Sequence, residues 1–383
     1  MRIAIFTNNY LPNPFGVSVS IESFRRELER RGHTVYIFAP SFKGYADTSR
    51  HVFRYPSVEM HFRGVRFPIA IPYSRKMDKI LEKMDIDIIH AQHPNLLGWQ
   101  ARRWAHKKHI PLVFTWHTLY DQYAHFNPFL PIKISAWLAV RSAVKYANHA
   151  ESVIIPTVSA KKIITSWGMH NKNTRVVPTG IDEEDFANVD AGIICKKIKL
   201  PKDRKVLLLV SRLTAEKNVF FLAEAMALIL AEHPDTVFVV AGQGKEKERM
   251  RALFKREGVL RRVIFSGVLG RKDIAGIFSL ADIFVYASKS ETQGLIIAEA
   301  MYAGLPVVAL DATGVKDFVM NHVTGLLVKE NKKEFSAAVA SLLNNKELRM
   351  DFSSKAKQIA RENFTATLCA EKIIGVYERL MRK

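Results

Sequence analysis

The chain has 383 residues, of which 48% are hydrophobic, and a net charge of +20 from 57 Lys and Arg against 37 Asp and Glu. This length and apolar content suit two well-cored domains and exclude a disordered chain, while only two cysteines, Cys195 and Cys369, exclude a disulfide framework and fit a reducing cytoplasm. The opening Met1-Arg2-Ile3-Ala4-Ile5-Phe6 carries too short an apolar run for a signal peptide, and no later run approaches 18 apolar residues, so no membrane span is expected.

In the first half, apolar β-rich runs predict strands at Arg2–Phe6, Thr34–Phe38, Ile86–His90, Leu112–Thr115, Val153–Thr157 and Arg175–Pro178. Between the first two, Val19, Ile21, Phe24 and Leu28 recur near helical spacing, giving a helix Val19–Arg31 that stops at Gly32. The loop after the first strand holds Tyr10, then Phe15-Gly16-Val17, where a glycine would let backbone approach a ligand or simply make a turn. The strand ends Ile89-His90-Ala91-Gln92-His93-Pro94 and Trp116-His117-Thr118-Leu119-Tyr120 place three histidines and a tyrosine at carboxyl ends. Asp85-Ile86-Asp87 falls at the start of its strand, away from those ends, and no His or Cys cluster has metal spacing. No metal is expected.

After a polar, broken stretch around Thr179–Lys205, a second series of strands is predicted at Val206–Val210, Val237–Ala241, Val263–Phe265, Ile283–Tyr286, Val307–Leu310 and Gly325–Val328. Helices between them, and final helices near Lys346–Glu362 and Thr367–Arg382, complete two successive doubly wound α/β units with ligands expected at strand carboxyl ends. Arg212 ends the first of these strands and Lys217 follows near a helix start. Together they suit a diphosphate, although two exposed surface cations would read the same in isolation. Gly242-Gln243-Gly244 follows the second strand, where a Gly-x-Gly is often only a tight turn. Ser266-Gly267-Val268 closes the third. The most informative string is Ser290-Glu291-Thr292-Gln293-Gly294-Leu295-Ile296-Ile297-Ala298-Glu299-Ala300-Met301, followed by Ala303-Gly304-Leu305-Pro306-Val307-Val308. A carboxylate precedes a helix opened by glycine, and a second follows eight positions later. Free amides at the helix start suit an anion, and the carboxylates suit hydroxyls.

That string resembles the Glu-x7-Glu signature of the family-4 retaining glycosyltransferases, and Ser211-Arg212 with Lys217 is similar to their phosphate element. The resemblance implies the GT-B fold: two Rossmann-like domains facing across a cleft, the last helix crossing back to the first domain. It implies an acceptor and membrane-binding domain over 1–182, a nucleotide-sugar domain over 183–364, and a crossing helix over 365–383. It also implies roles. Glu291 would hold sugar hydroxyls and Glu299 the ribose. Arg212, Lys217 and the amides of Gly294 and Leu295 would hold the diphosphate, with Thr292 and Gln293 beside them. Gly242 and Gly244 would line the donor pocket, Val268 would meet the base through its backbone, and Gly16 and Val17 would touch the donor. His117 would stand beside the transferred sugar, with Tyr10, His90, His93 and Tyr120 on the acceptor side. No cofactor or metal is implied, because the donor is itself the substrate.

Charge narrows the partner. Residues 1–180 carry 25 Lys and Arg against 11 Asp and Glu, whereas 181–383 carry 32 against 26. The first half therefore seeks an anion. Residues 122–147 mix aromatic and aliphatic side chains with Lys133, Arg141 and Lys145, a mixture found in membrane-surface helices and in buried helices with snorkelling cations. Residues 51–75 interleave Arg54, Arg63, Arg66 and Arg75 with Phe53, Phe62, Phe67 and Tyr73. Such interleaving serves single-stranded nucleic acid or lipid headgroups; with no nucleic-acid motif present, lipid is expected. The single-glycine loop around Gly16 looks like the glycosyltransferases that glucosylate diacylglycerol. The resulting expectation is a cytoplasmic enzyme, peripheral on the inner membrane face, that moves glucose from UDP-glucose to a lipid such as diacylglycerol. A soluble relative acting on a sugar, polysaccharide precursor or phosphoinositide is the alternative, and a non-catalytic nucleotide-sugar sensor or polyanion-binding protein a remoter one.

Overall fold

The structure is a computed structural model that describes residues 1–13, 16–62, 65–121, 131–289 and 291–382. Phe15, Arg63, residues 122–130 and Ser290, all drawn on in reading the sequence, lie outside the described residues. The chain divides into two compact units, Met1–Gly180 with Ala366–Lys383, and Ile181–Thr365.

In the first unit the elements run β1 (Arg2–Phe6), α1 (Gly16–Arg30), β2 (Thr34–Pro40), β3 (Val52–Tyr55), β4 (Ser57–Phe62), β5 (Val65–Ala70), α2 (Arg75–Lys83), β6 (Ile88–Ala91), α3 (Leu97–Lys108), β7 (Leu112–Thr115), α4 (Ile132–His149), β8 (Ser152–Ile155), α5 (Val158–Ser166) and β9 (Thr174–Val176). Seven strands form one parallel sheet in the order β3-β2-β1-β6-β7-β8-β9. Its central strands are apolar on both faces, as a sheet covered on both sides requires. In β1, Ile3 and Ile5 join one core and Ala4 and Phe6 another. The Ala4 side packs against Leu97, Ala101 and Trp104 of α3 and Ala143 and Ala147 of α4. The Ile3 side packs against Ile21, Phe24 and Leu28 of α1.

Sequence periodicity did not reveal β3 or the antiparallel hairpin β4–β5, which pairs Val58 with Ile69 and Met60 with Phe67. The interleaved basic and aromatic residues of 51–75 are thus largely edge strand and hairpin.

The second unit runs α6 (Ala191–Ile198), β10 (Lys205–Val210), α7 (Val219–Glu232), β11 (Thr236–Ala241), α8 (Lys247–Arg256), β12 (Val263–Gly267), α9 (Arg271–Leu280), β13 (Ile283–Tyr286), α10 (Leu295–Tyr302), β14 (Val307–Leu310), β15 (Gly325–Val328), α11 (Lys332–Asn344) and α12 (Lys346–Asn363). Its six strands are parallel in the order β12-β11-β10-β13-β14-β15 around one core. The order reverses between β10 and β13, so the loops that leave their carboxyl ends diverge and open a crevice. Those are the loops of Arg212 and Glu291.

The last helix, α13 (Ala366–Met381), belongs to the first unit. It buries Cys369, Ala370, Ile373, Val376, Tyr377 and Leu380, spaced at three and four, into the core that holds Ile3 and Ile5. The crossing helix expected from the resemblance is therefore present.

Candidate active site

In the second unit, β10 and β13 run side by side with Leu208 opposite Phe284, so their carboxyl ends emerge together. From one end Lys217 reaches Glu291, which follows the other. Lys217 Nζ donates to Glu291 Oε1, and the Tyr286 hydroxyl donates to the same oxygen at 2.6 Å. Both members of the ion pair are largely buried, with side chains 12% and 13% exposed. Burial alone would raise the Glu291 pKa; the Lys217 charge and hydrogen bonds from Lys217, Tyr286 and Ser288 outweigh it and hold the carboxyl below its usual range. Glu291 is an anion held by Lys217, Tyr286 and Ser288.

Two glycines hold that loop in place. Gly294, at φ +71°, is the residue before α10 and turns the chain into the helix. Gly314, at φ +74°, lies so close to Glu291 that a Cβ would stand 2.5 Å from the Glu291 carbonyl oxygen and 2.8 Å from its Cβ. Thr292 and Gln293 are half-buried in the loop between, and Leu295 starts the helix.

Glu299 sits one turn into α10, almost wholly buried. Its Oε1 accepts from Arg271 Nη1 at 2.7 Å, and Arg271 also grips Asp185 at 2.5 Å. Burial raises the Glu299 pKa, Arg271 opposes the rise and Asp185 adds to it; the carboxyl ends above its usual range. Arg271 and Asp185 were not foreseen. They are 86 positions apart in sequence, and only the fold joins them.

Arg212 is half exposed and contacts Glu216 at 3.3 Å. The backbone that carries it is clamped. Ser211 N–H donates to the Ala241 carbonyl, Leu213 N–H to Gln243, and Glu246 N–H to Leu213, each at 3.0 Å. Side chains at Gly242 and Gly244 would meet the Ser211 and Leu213 carbonyl oxygens at 1.8 and 2.1 Å. The Gly-x-Gly therefore lets one loop pack onto another. Thr214 Oγ1, beside them, is buried with no hydrogen-bond partner among the described residues. Val268 follows Gly267 and is 74% exposed.

The first unit places Gly16 and Val17 in the opening turn of α1. Tyr10 is buried and donates to Glu22 of the same helix, with Arg54 over its ring at 5.4 Å. Burial, then the Glu22 carboxylate, raises its pKa. His117 shares a hydrogen bond with Gln92 Oε1 at 2.6 Å, so its Nε2 is the protonated nitrogen. Burial and the neighbouring His93 and His90 push its pKa down to about 3. Tyr120 packs edge-on against Trp116 at 5.7 Å. His93 Nδ1 accepts from the Asn8 N–H at 3.1 Å, and burial pushes its pKa down to about 4.

His90 needs correction as an acceptor-side residue. It is 2% exposed, and its nitrogens are engaged by Tyr377 OH and Thr115 Oγ1, each at 2.7 Å. It ties β6 to β7 and α13, with no nitrogen left for a ligand.

Asp85 and Asp87 both pair with Arg2, at 3.0 and 2.9 Å, and so brace the amino ends of β1 and β6. Among the described residues no group of three or more His, Cys, Asp or Glu is arranged to hold a metal ion. No helix among them is long and apolar enough to cross a membrane.

Comparison with known proteins adds to this geometry. Residues 192–359 match the family model described as glycosyl transferases group 1, and residues 15–185 match glycosyltransferase family 4. The chain is 29% identical to an α-monoglucosyldiacylglycerol synthase of Streptococcus pneumoniae over 95% of its length and 83% of that protein. A protein of the same description from Acholeplasma laidlawii is 26% identical over 100% of this chain and 98% of its own. A GDP-mannose-dependent α-mannosyltransferase of Mycolicibacterium smegmatis is 28% identical over 100% and 98%. Among solved structures, Anabaena HepE in complex with UDP and glucose superposes with a TM-score of 0.78 at 20% identity, covering 99% of this chain and 100% of the other.

Proposed function

This chain belongs to the family-4 glycosyltransferases and has their GT-B fold, and from that premise we propose that it moves glucose from UDP-glucose to a lipid such as diacylglycerol at a membrane surface. As a glycosyltransferase it takes its sugar from a nucleotide sugar; the donor, acceptor, stereochemistry and place of action are the proposal. The observation that carries it is the anionic Glu291 beside Lys217, at the point where the sheet order reverses.

In this reading Lys217, Tyr286 and Ser288 hold the Glu291 carboxylate in place to meet sugar hydroxyls. Arg212, Lys217 and the first amides of α10 stabilise charge as it grows on the leaving diphosphate, each donor worth roughly 3 kcal/mol of barrier. Those cations make a divalent ion unnecessary, so turnover persists in EDTA. Glu299, held by Arg271, receives the ribose. The bond from the sugar's anomeric carbon to the diphosphate breaks and the acceptor's hydroxyl oxygen bonds to that carbon on the same face, with retention, the departing phosphate taking the acceptor's proton. His117, kept neutral by burial, offers Nδ1 as an acceptor toward a sugar hydroxyl.

The membrane half of the proposal rests on α4. Ile134, Trp137 and Leu138 are 48%, 57% and 45% exposed on this helix, and Lys133, Arg141 and Lys145 are exposed with them. Arg141 lies over the Trp137 ring at 5.2 Å. The helix has no acidic residue. Exposed aromatic and aliphatic side chains with unopposed cations suit an anionic lipid surface.

The GDP-mannose-dependent relatives favour a second reading, in which GDP-mannose is the donor. Turnover with a panel of donors and diacylglycerol as acceptor separates the two. UDP release from UDP-glucose exceeding GDP release from GDP-mannose is expected, and the opposite order refutes the glucose assignment.

A further inference from the structure

The first unit contains a recess of about 300 Å³ lined by Asn8, Asn9, Phe67, Pro68, Ile69, His93 and Leu96. Asn8, Asn9 and His93 follow the carboxyl ends of β1 and β6, where the order of this sheet reverses. The wall is the β5 strand of the unforeseen hairpin.

The lining has two chemistries. On the polar side, the Asn8 amide is used internally: its Nδ2 donates to Asn95 and its Oδ1 accepts from Leu97 N–H. Asn9 has no side-chain hydrogen bond among the described residues. His93 accepts at Nδ1 from the Asn8 N–H, so its proton is on Nε2, and that N–H has no partner among the described residues. One amide and one N–H are thus available to a hydroxyl. On the apolar side, Phe67 and Ile69 share one hairpin face with their cross-strand partners Met60 and Val58. Val58, Met60 and Ile69 are 58%, 45% and 37% exposed. The other face carries Glu59 and Pro68, and Glu59 is held by the Lys43 N–H and by Arg66. The apolar face is thus turned outward, and Phe67 and Ile69 of that face line the recess together with Pro68 of the other.

We propose that this recess and the adjoining hairpin face bind the acceptor: an uncharged amphiphile whose free hydroxyl meets Asn9 and His93 and whose acyl chain lies along Val58, Met60, Phe67 and Ile69. The proposal rests on the lipid-acceptor reading above and gives that acceptor its place. A sugar or inositol acceptor would leave the apolar wall without a function, and a charged headgroup would find no cation among the described lining residues.

The test uses the full chain with dioctanoylglycerol as acceptor. Replacing Val58 and Met60 by Ser removes exposed apolar area without opening the core, and the KM for dioctanoylglycerol is expected to rise at least tenfold while the KM for the nucleotide sugar stays within twofold. Met350→Ser, an equally exposed residue of α12, is the control and should change neither. Wild-type protein irradiated with a diacylglycerol carrying a diazirine on its acyl chain should be labelled within residues 57–71. Lipid turnover with an unchanged acceptor KM in the double variant, or labelling confined to α4, overturns the site but leaves the lipid reading standing. Absence of any lipid product from the wild-type protein overturns the lipid reading first.

Discussion

Gly314 shows how a site can depend on an atom that is missing. Any side chain there would collide with the Glu291 backbone, and its φ of +74° already disfavours other residues. Gly314→Ala should cost about 1–3 kcal/mol of stability, and the displaced carboxylate should lower turnover about 100-fold. Thermal melting and kcat measured on one preparation check both. The histidines give a second prediction. His90, His93 and His117 have pKa values pushed down by burial to about 3, 4 and 3, so each takes up its proton only when the protein unfolds. Stability is then complete above the unfolded value near 6.5 and falls as the pH drops toward 4, by about 1.4 kcal/mol per pH unit for each histidine. All five tryptophans lie within residues 1–180, so urea unfolding followed by fluorescence reports this unit alone. Equal midpoints at pH 7 and pH 5 would contradict the histidine assignment.

Among the elements, α4 carries the most direct prediction. Trp137→Ser with Leu138→Ser should weaken sedimentation with phosphatidylglycerol vesicles at least about tenfold, and added salt should weaken the wild type as well. Unaltered binding would move the membrane contact elsewhere. Elements also show what a sequence can reveal. The buried parallel strands were legible because Val, Ile, Leu and Phe dominate them on both faces, as in Leu207–Val210 and Val237–Val240. The hairpin was not, because Pro68 interrupts its second strand and its apolar residues face outward, where no burial pattern betrays them. Glu291, Gly294 and Glu299 were visible as a string of fixed spacing. Arg271, Asp185 and Gly314 were not, because each meets its partner only through tertiary contact, and Tyr286, five residues before Glu291, read only as the end of a strand. The expected strand Ile86–His90 begins two residues later in the structure, after Asp85 and Asp87 have engaged Arg2.

Over the whole molecule, two parallel sheets each reverse their strand order once, and polar loops gather at each reversal. The chain leaves its first unit at Gly180 and returns at Ala366, so that unit is complete only when the last helix has docked through Tyr377 and its apolar neighbours. Most of the excess positive charge falls in residues 1–180, which also carry the exposed apolar side chains of α4 and of the hairpin. Charge and apolar exposure together favour a lipid partner over a soluble sugar. The most direct test is to incubate the protein with UDP-glucose and diacylglycerol vesicles and examine the lipid extract by proton NMR. A glucosyl lipid whose anomeric proton shows the small coupling of an α linkage is predicted; a β-linked product, or glucose recovered only in the aqueous phase, would contradict the account.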